Sequence, residues 1–430
     1  MNTHRPFSRL AKSLFFVIGF TWSLSASAEP FAYINNFSDS TVSVIDTATN
    51  TVVDTIGGLG SLPFGVAVHP HGNTVYVTNN NSSSVSVIDA TTNTVVATVA
   101  VGSGPIGIAV HPDGSTVYVA SGAFSGISVI DTATNTVVDT IATVPALYGI
   151  AVHPDGNTVY VTQAGSVVLV IDTATNTEVD TITVGSQPQG VVVHPDGNTV
   201  YVANNGSNSV SVIDTASNTV VDTVTVGTAP NGIAVHPNGR VYVANRDSNT
   251  VSVIDTTTNT VVDTVTVGGS PRGVAVHFDG NTVYVANLSS NSVSVIATAT
   301  NTVIDTVTVG NGPNAFGQFI KPPTNFLTIS PASSSFMTTQ SFDLGLIVDA
   351  PGFTVTGGTA TLDDVDISAA LAGCIVPGTL ISGGQTFRCP NLTGDFLGEG
   401  SHTLNVALDL SDGSSVSDTV TWEVVGNTEP

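Results

Sequence analysis

Positive charge is almost missing from this chain. Its 430 residues hold eight Lys and Arg against 32 Asp and Glu, a formal net charge of −24 at pH 7. Three of the eight, Arg5, Arg9 and Lys12, stand at the very start. The rest carries only Arg240, Arg246, Arg272, Lys321 and Arg388, which leaves −27 without that leader. Such a surface repels phosphate backbones, so nucleic acid is not an expected partner. Cysteine is nearly missing too, with Cys374 and Cys389 alone. No neighbouring Cys or His completes a zinc set, and there is no C-x-x-C-H haem attachment. In an oxidising compartment the two read as a disulfide that staples one loop or hairpin, worth about 3 kcal/mol by loop entropy; free thiols or a metal pair are the alternatives. Gly-rich phosphate loops, G-x-S-x-G and H-E-x-x-H are absent. Glutamate is scarce, and only Glu178 falls within the repeats.

Long apolar runs are also lacking after the first. Basic residues, the apolar stretch Ser13 to Leu24 and the small-residue site Ala26-Ser27-Ala28 read as a signal peptide over residues 1–28. The stretch is short for a membrane span, and an uncleaved anchor is the alternative. The expected product is exported, to the periplasm, the cell surface or the exterior, with no membrane span after cleavage.

What the chain has is repetition. The segment "SVID", or a close variant, ends at Asp46, Asp89, Asp131, Asp172, Asp214 and Asp255, and a seventh copy ends at Ala297. Tyr33, Tyr76, Tyr118, Tyr160, Tyr201, Tyr242 and Tyr284 keep the same beat. Each period reads as four strands: "GVAVH", a "PDGN" turn, "TVYVAN", a polar loop, "SVSVID", a "TATN" turn and "TVVDTVTV". Val and Thr alternate as a pleated strand requires. Four strands in about 40 residues, repeated, spell a propeller blade. The first copy lacks its "GVAVHP" strand, and a spare one, "PNAFGQFI", follows the last copy. The expectation is an all-β, seven-bladed β-propeller over residues 29–320, closed by a C-terminal strand.

"YVTN" at Tyr76 to Asn79, with "YVAN" at Tyr201, Tyr242 and Tyr284, resembles the YVTN-family β-propeller repeat of surface-layer and other exported proteins. The resemblance covers about residues 30 to 320. It implies the fold and only loosely a function, because propellers host many activities, lactonase-like and quinoprotein-like enzymes among them.

"KPPTN" opens a linker over 321–326, and after it the period vanishes. Alternating segments such as "FDLGLIVDA" and "HTLNVALDL" suggest a β-sandwich over 327–430. It resembles bacterial immunoglobulin-like modules. Asp363, Asp364 and Asp366 form a small acidic cluster, a weak metal candidate whose default reading is a solvated loop.

The repeat histidines His69, His111, His153, His194, His236 and His277 read as scaffold, since a catalytic site needs asymmetry and these positions are equivalent. Any histidine ring is broken at Phe319. Function is expected where the copies differ. One variable residue precedes the glycine near the start of each inner strand, replaced by Ala315 in the last copy: Phe64, Ile106, Tyr148, Gln189, Asn231, Arg272 and Asn314. These should ring one mouth of the central channel, with an apolar arc, a polar arc and Arg246 on the same face. Arg246 and Arg272 could together hold an anionic group while the apolar arc contacts a ring or chain; free drift of surface loops is the alternative. The leading reading is an exported, non-enzymatic propeller for envelope or surface structure, or for binding an envelope or extracellular protein or glycan. No cofactor is expected. The alternative is a propeller enzyme of lactonase-like or lyase-like type.

Overall fold

The computed structural model describes residues 31–321 apart from 71, 124–125 and 237–238, together with the backbone of strands between 326 and 424. The first sheet has three strands, Phe31–Asn36, Thr41–Asp46 and Thr51–Ile56. The next has four, Pro63–Val68, Thr74–Asn79, Ser84–Asp89 and Thr94–Ala100. Five more four-stranded antiparallel sheets follow over 105–141, 147–183, 188–225, 230–266 and 271–308. These are seven blades of a β-propeller, as the repeat count predicts.

The missing strand of blade 1 is supplied from the far end of the array. The Tyr33 amide donates to the Phe319 carbonyl (2.8 Å), Lys321 N–H to Phe31 O (2.7 Å) and Asn314 N–H to Asn35 O (3.0 Å). Antiparallel bridges Ala32–Ile320 and Asn36–Pro313 fix the register. Phe319 is fully buried. An open array would leave two unpaired edges around the core, and the ring leaves none there.

Blades stack through the apolar faces of their middle strands. The second and third strands are buried on both faces, while the fourth is exposed along most of its length. Burial on both faces explains a detail of the repeat. The inward serines of "SVSVID" need partners in an apolar layer, and the asparagine ending the second strand supplies them. Asn79 Nδ2 donates to Ser84 Oγ (3.1 Å) and Ser86 Oγ (2.9 Å), and the pattern recurs from Asn36, Asn204, Asn245 and Asn287. Blade 4 changes both sides at once, with Gln163 for the asparagine and Leu169 for the serine.

Two joints hold blade to blade. At the channel, the glycine of each variable-residue segment lies against the next blade's backbone. A Cβ on Gly65, Gly107, Gly149, Gly190 or Gly232 would collide with the carbonyl of Ile106, Tyr148, Gln189, Asn231 or Arg272. Only glycine lets the inner strands approach this closely. At the opposite face, His69, His111, His153 and His236 donate Nε2–H to the turn carbonyls of Gly114 (3.0 Å), Gly156 (2.9 Å), Gly197 (2.7 Å) and Gly280 (2.6 Å) in the following blade. His277 reaches Thr47 Oγ1 (3.0 Å) and bolts blade 7 to blade 1. Within their own turns, His111, His153, His194 and His277 also place Nδ1 2.6–2.8 Å from an aspartate. The tyrosines add a third contact at some joints: Tyr284 donates to Asn50 Oδ1 (2.7 Å) across the seam. The aspartates ending the third strands cap their own turns, as Asp89 does for Thr91 and Thr92.

Beyond residue 325 the backbone forms a three-stranded and a four-stranded antiparallel sheet. Residues 1–28, Cys374, Asp363 and Asp364 lie outside the described residues, as do the side chains of Cys389 and Asp366.

Two outcomes follow from these joints. Gly232→Ala forces a methyl into the Arg272 carbonyl, so urea denaturation should show a loss of about 1–3 kcal/mol, the usual cost of overpacking. Burial opposes ionisation of Asp279, but hydrogen bonds from His277 and Asn281 outweigh it and hold the carboxyl at about 2. A depressed pKa gives stability that is present above the ordinary carboxylate range and lost on the way down to about pH 2. Asp279→Asn should therefore flatten the fall of the melting temperature between about pH 4 and pH 2.

Candidate functional site

The variable residues hold equivalent places in the chain: six stand second in the inner strand of their blade, and Asn314 follows Pro313 in the closing strand. Three of their carbonyls are committed: Thr78 Oγ1 donates to Ile106 O (3.1 Å), Thr162 Oγ1 to Gln189 O (2.6 Å) and Phe316 N–H to Phe64 O (3.3 Å). Ahead of each segment one residue takes a left-handed conformation: Leu62 (φ 56), Gly104 (64), Ala146 (72), Gln187 (51), Ala229 (54), Ser270 (54) and Gly312 (67). In the stretched "PALYG" copy, Leu147 occupies the place proline has elsewhere and is fully buried. Every ring side chain is thus delivered from the same scaffold.

The channel behind the mouth holds a cavity of about 30 Å³, lined by glycines, Ile108, Ile150, Ile233 and Phe316. Phe316 makes an edge contact with Phe64 (6.0 Å between ring centroids), and Phe64 makes another with Phe37 (6.3 Å). Phe64 therefore belongs as much to an aromatic plug as to the mouth.

The polar arc is more telling. Asn231, Arg272 and Asn314 stand on consecutive inner strands. Asn231 is 4 % exposed and Asn314 is 0 % exposed. Asn231 Oδ1, Arg272 Nε and both amide atoms of Asn314 are shielded from solvent and have no hydrogen-bond partner among the described residues. Buried polar atoms in native proteins are nearly always satisfied; the Oδ1 atoms of Asn36, Asn79, Asn204, Asn245 and Asn287 inside the blades are unpartnered in the same way, and Arg272 and Asn314 differ from them in lining a pocket. Burial and the nearby Arg246 both push the Arg272 guanidinium below its ordinary pKa, and Asp247 partly offsets them.

Arg246 does not act as the second free cation that the sequence suggests. Its Nε and Nη2 are held by the carboxylate of Asp247, at 2.7 and 3.1 Å. That pair holds the Asp247 carboxyl below its usual range.

A pocket of about 380 Å³ opens at this arc, between the loops of blades 7 and 1. Arg272 and Asn314 line its polar side, and Phe37 and Leu288 its apolar side. Its wall is braced by polar contacts. Asp39 accepts from Asn311 N–H (2.7 Å) and Nδ2 (2.9 Å), which hold its carboxyl down, and Asn291 Nδ2 donates to Asn311 Oδ1 (3.0 Å). The residue-by-residue comparison of repeats missed Phe37 and Leu288. The signal was available, since both stand in second-to-third-strand loops flanking the seam.

Charge is also divided between the faces. The loops at the mouth hold only two acidic residues, Asp39 and Asp247, and both are engaged. The aspartates of the "SVID" and "PDG" turns all lie at the other end, with more on the outer strands. Among the described residues no three His, Cys, Asp or Glu gather to hold a metal, and no helix is long and apolar enough to cross a membrane.

A family model described as "YNCE-like beta-propeller" matches residues 17–323. Among solved structures, Kuenenia stuttgartiensis hydrazine synthase is similar at 29 % identity and a TM-score of 0.59, over 62 % of this chain and 92 % of that one. A functionally unknown protein from Desulfotomaculum acetoxidans DSM 771 has the same TM-score at 20 % identity, over 67 % of this chain and 99 % of that one. No curated protein matches the chain.

The aromatic plug and the exposed ion pair should separate in a stability series. Phe316→Ala removes the ring packed against Phe64 and should cost about 3–5 kcal/mol by urea denaturation. Arg246→Ala removes an exposed ion pair and should change stability by no more than about 1 kcal/mol.

Proposed function

The chain belongs to the YNCE-like β-propeller family, and from that premise we propose that it is an exported, non-enzymatic propeller whose channel mouth recognises a glycan or protein of the cell envelope or exterior. The leader over residues 1–28 supports export. The repeat histidines support a scaffold role, since His69, His111, His153, His236 and His277 are each tied to the neighbouring blade. The segment after residue 326, read as an immunoglobulin-like spacer, fits an envelope or surface setting.

One observation carries the reading. Among the described residues, the stretch of the ring with shielded, unpartnered side-chain atoms borders a pocket, which Arg272 and Asn314 line. A purely architectural propeller has no reason to leave such atoms unmatched where the copies diverge. The second reading is an enzyme of lactonase-like or lyase-like type. The likeness to a chain titled hydrazine synthase favours keeping it, although fold alone does not transfer activity.

Thermal unfolding of the mature protein with neutral, sulfated and uronic-acid polysaccharides and with divalent cations tests the proposal. A polysaccharide that binds the native state should raise the melting temperature by mass action. The rise should vanish in a Tyr148→Ala/Arg272→Ala variant. A rise that survives in that variant would move the site away from the mouth, and turnover of a lactone panel would favour the enzyme reading.

A further inference from the structure

The pocket at the seam has a chemistry specific enough to name a ligand class. This step rests on the mouth being a recognition site. Arg272 makes no side-chain hydrogen bond or ion pair among the described residues, and its Nε is shielded. A shielded guanidinium N–H calls for an oxygen acceptor, and a planar anion suits it best. Asn314 is fully buried, lines the same pocket, and has neither amide atom satisfied. It offers one donor and one acceptor whichever way the amide is turned. The ligand must therefore bring oxygen acceptors for Arg272 and Asn314 together with a donor for Asn314, close to one another.

The remaining walls narrow the choice. Phe37 and Leu288 give an apolar surface against which the C–H face of a sugar ring can lie. A single unpaired cation balances one negative charge. A phosphate dianion would need more, and the acidic bulk of this protein opposes it. The mouth loops weaken that field for a monoanion, because they hold only two carboxylates, of which Asp247 is paired with Arg246 and Asp39 directs its oxygens to Asn311.

We propose that the pocket between blades 7 and 1 binds a hydroxylated carboxylate of the uronic-acid type, with the carboxylate on Arg272, a carboxylate oxygen and a ring hydroxyl on Asn314, and the sugar face on Phe37 and Leu288. The neutral sugar lacks the group that Arg272 requires, and a bare carboxylate lacks the hydroxyl and the apolar face.

Titration calorimetry of the full mature chain with D-glucuronate, D-glucose, acetate and glucose 6-phosphate tests this. Glucuronate should bind about tenfold or more tighter than each of the others. Arg272→Gln should weaken glucuronate about tenfold or more. Leu288→Trp, which fills the pocket from its rim, should abolish binding, and Arg240→Gln, at the far end of its blade from the mouth, should leave it unchanged. Circular dichroism melts of each variant confirm that the fold is retained. Equal binding of glucose, tighter binding of glucose 6-phosphate, or glucuronate binding that survives both Arg272→Gln and Leu288→Trp would overturn the assignment. If glucuronate gives no heat while a polysaccharide or protein still binds in a mouth-dependent way, this assignment falls and the mouth reading stands. If nothing binds at the mouth, both fall.

Discussion

The Tyr33 amide and the Phe319 carbonyl, 2.8 Å apart, join residues that the chain separates by the whole repeat array. Each blade alone is a small twisted sheet with little core of its own. Its apolar faces are covered only by its neighbours, so the array is stable only as a stack. Closing the stack into a ring removes the two terminal faces and gives every blade a neighbour on each side. The glycine approach at the channel and the histidine bolt at the far face then act at successive joints. The bolt from His277 to Thr47 and the bond from Tyr284 to Asn50 carry the scheme across the seam.

The seam is also where the equivalence fails. Its inner strand arrives from the other end of the chain. Ala315 stands where other copies have glycine and takes φ 41. Phe316 joins the lining of the axial cavity, and Asn314 is buried rather than presented on the surface. A ring of identical units has no preferred azimuth at which to bind a small asymmetric ligand. The imported strand provides one, with the pocket beside it and Arg272 on the adjacent blade.

Much of the fold could be read from periodicity, because a repeated sequence repeats its own evidence. Seven tyrosine positions count the blades, and the unmatched "PNAFGQFI" identifies the closing strand. The histidines were legible as scaffold for the same reason. The site was legible only in outline. Comparing copies located Asn231, Arg272 and Asn314 on the ring, but it could not show that Asn314 is buried or that Phe64 packs against Phe37 and Phe316. Those facts depend on how the first and last blades meet, and no internal copy contains that junction. The Arg246–Asp247 pair was open to a closer reading, since the residues are adjacent and opposite in charge.

The route of the chain at the seam has a consequence for how the molecule can be mounted. Phe31 begins the described chain and Lys321 donates its amide to the Phe31 carbonyl. Both therefore sit at the end of the cylinder away from the mouth, on the side of the aspartate-rich turns. Whatever precedes the ring and whatever follows it depart from a single pole. A body fastened by that pole, through either flank, presents its opposite pole to the surroundings. The chain thus enters and leaves the ring among the acidic turns, a full cylinder length from the pocket.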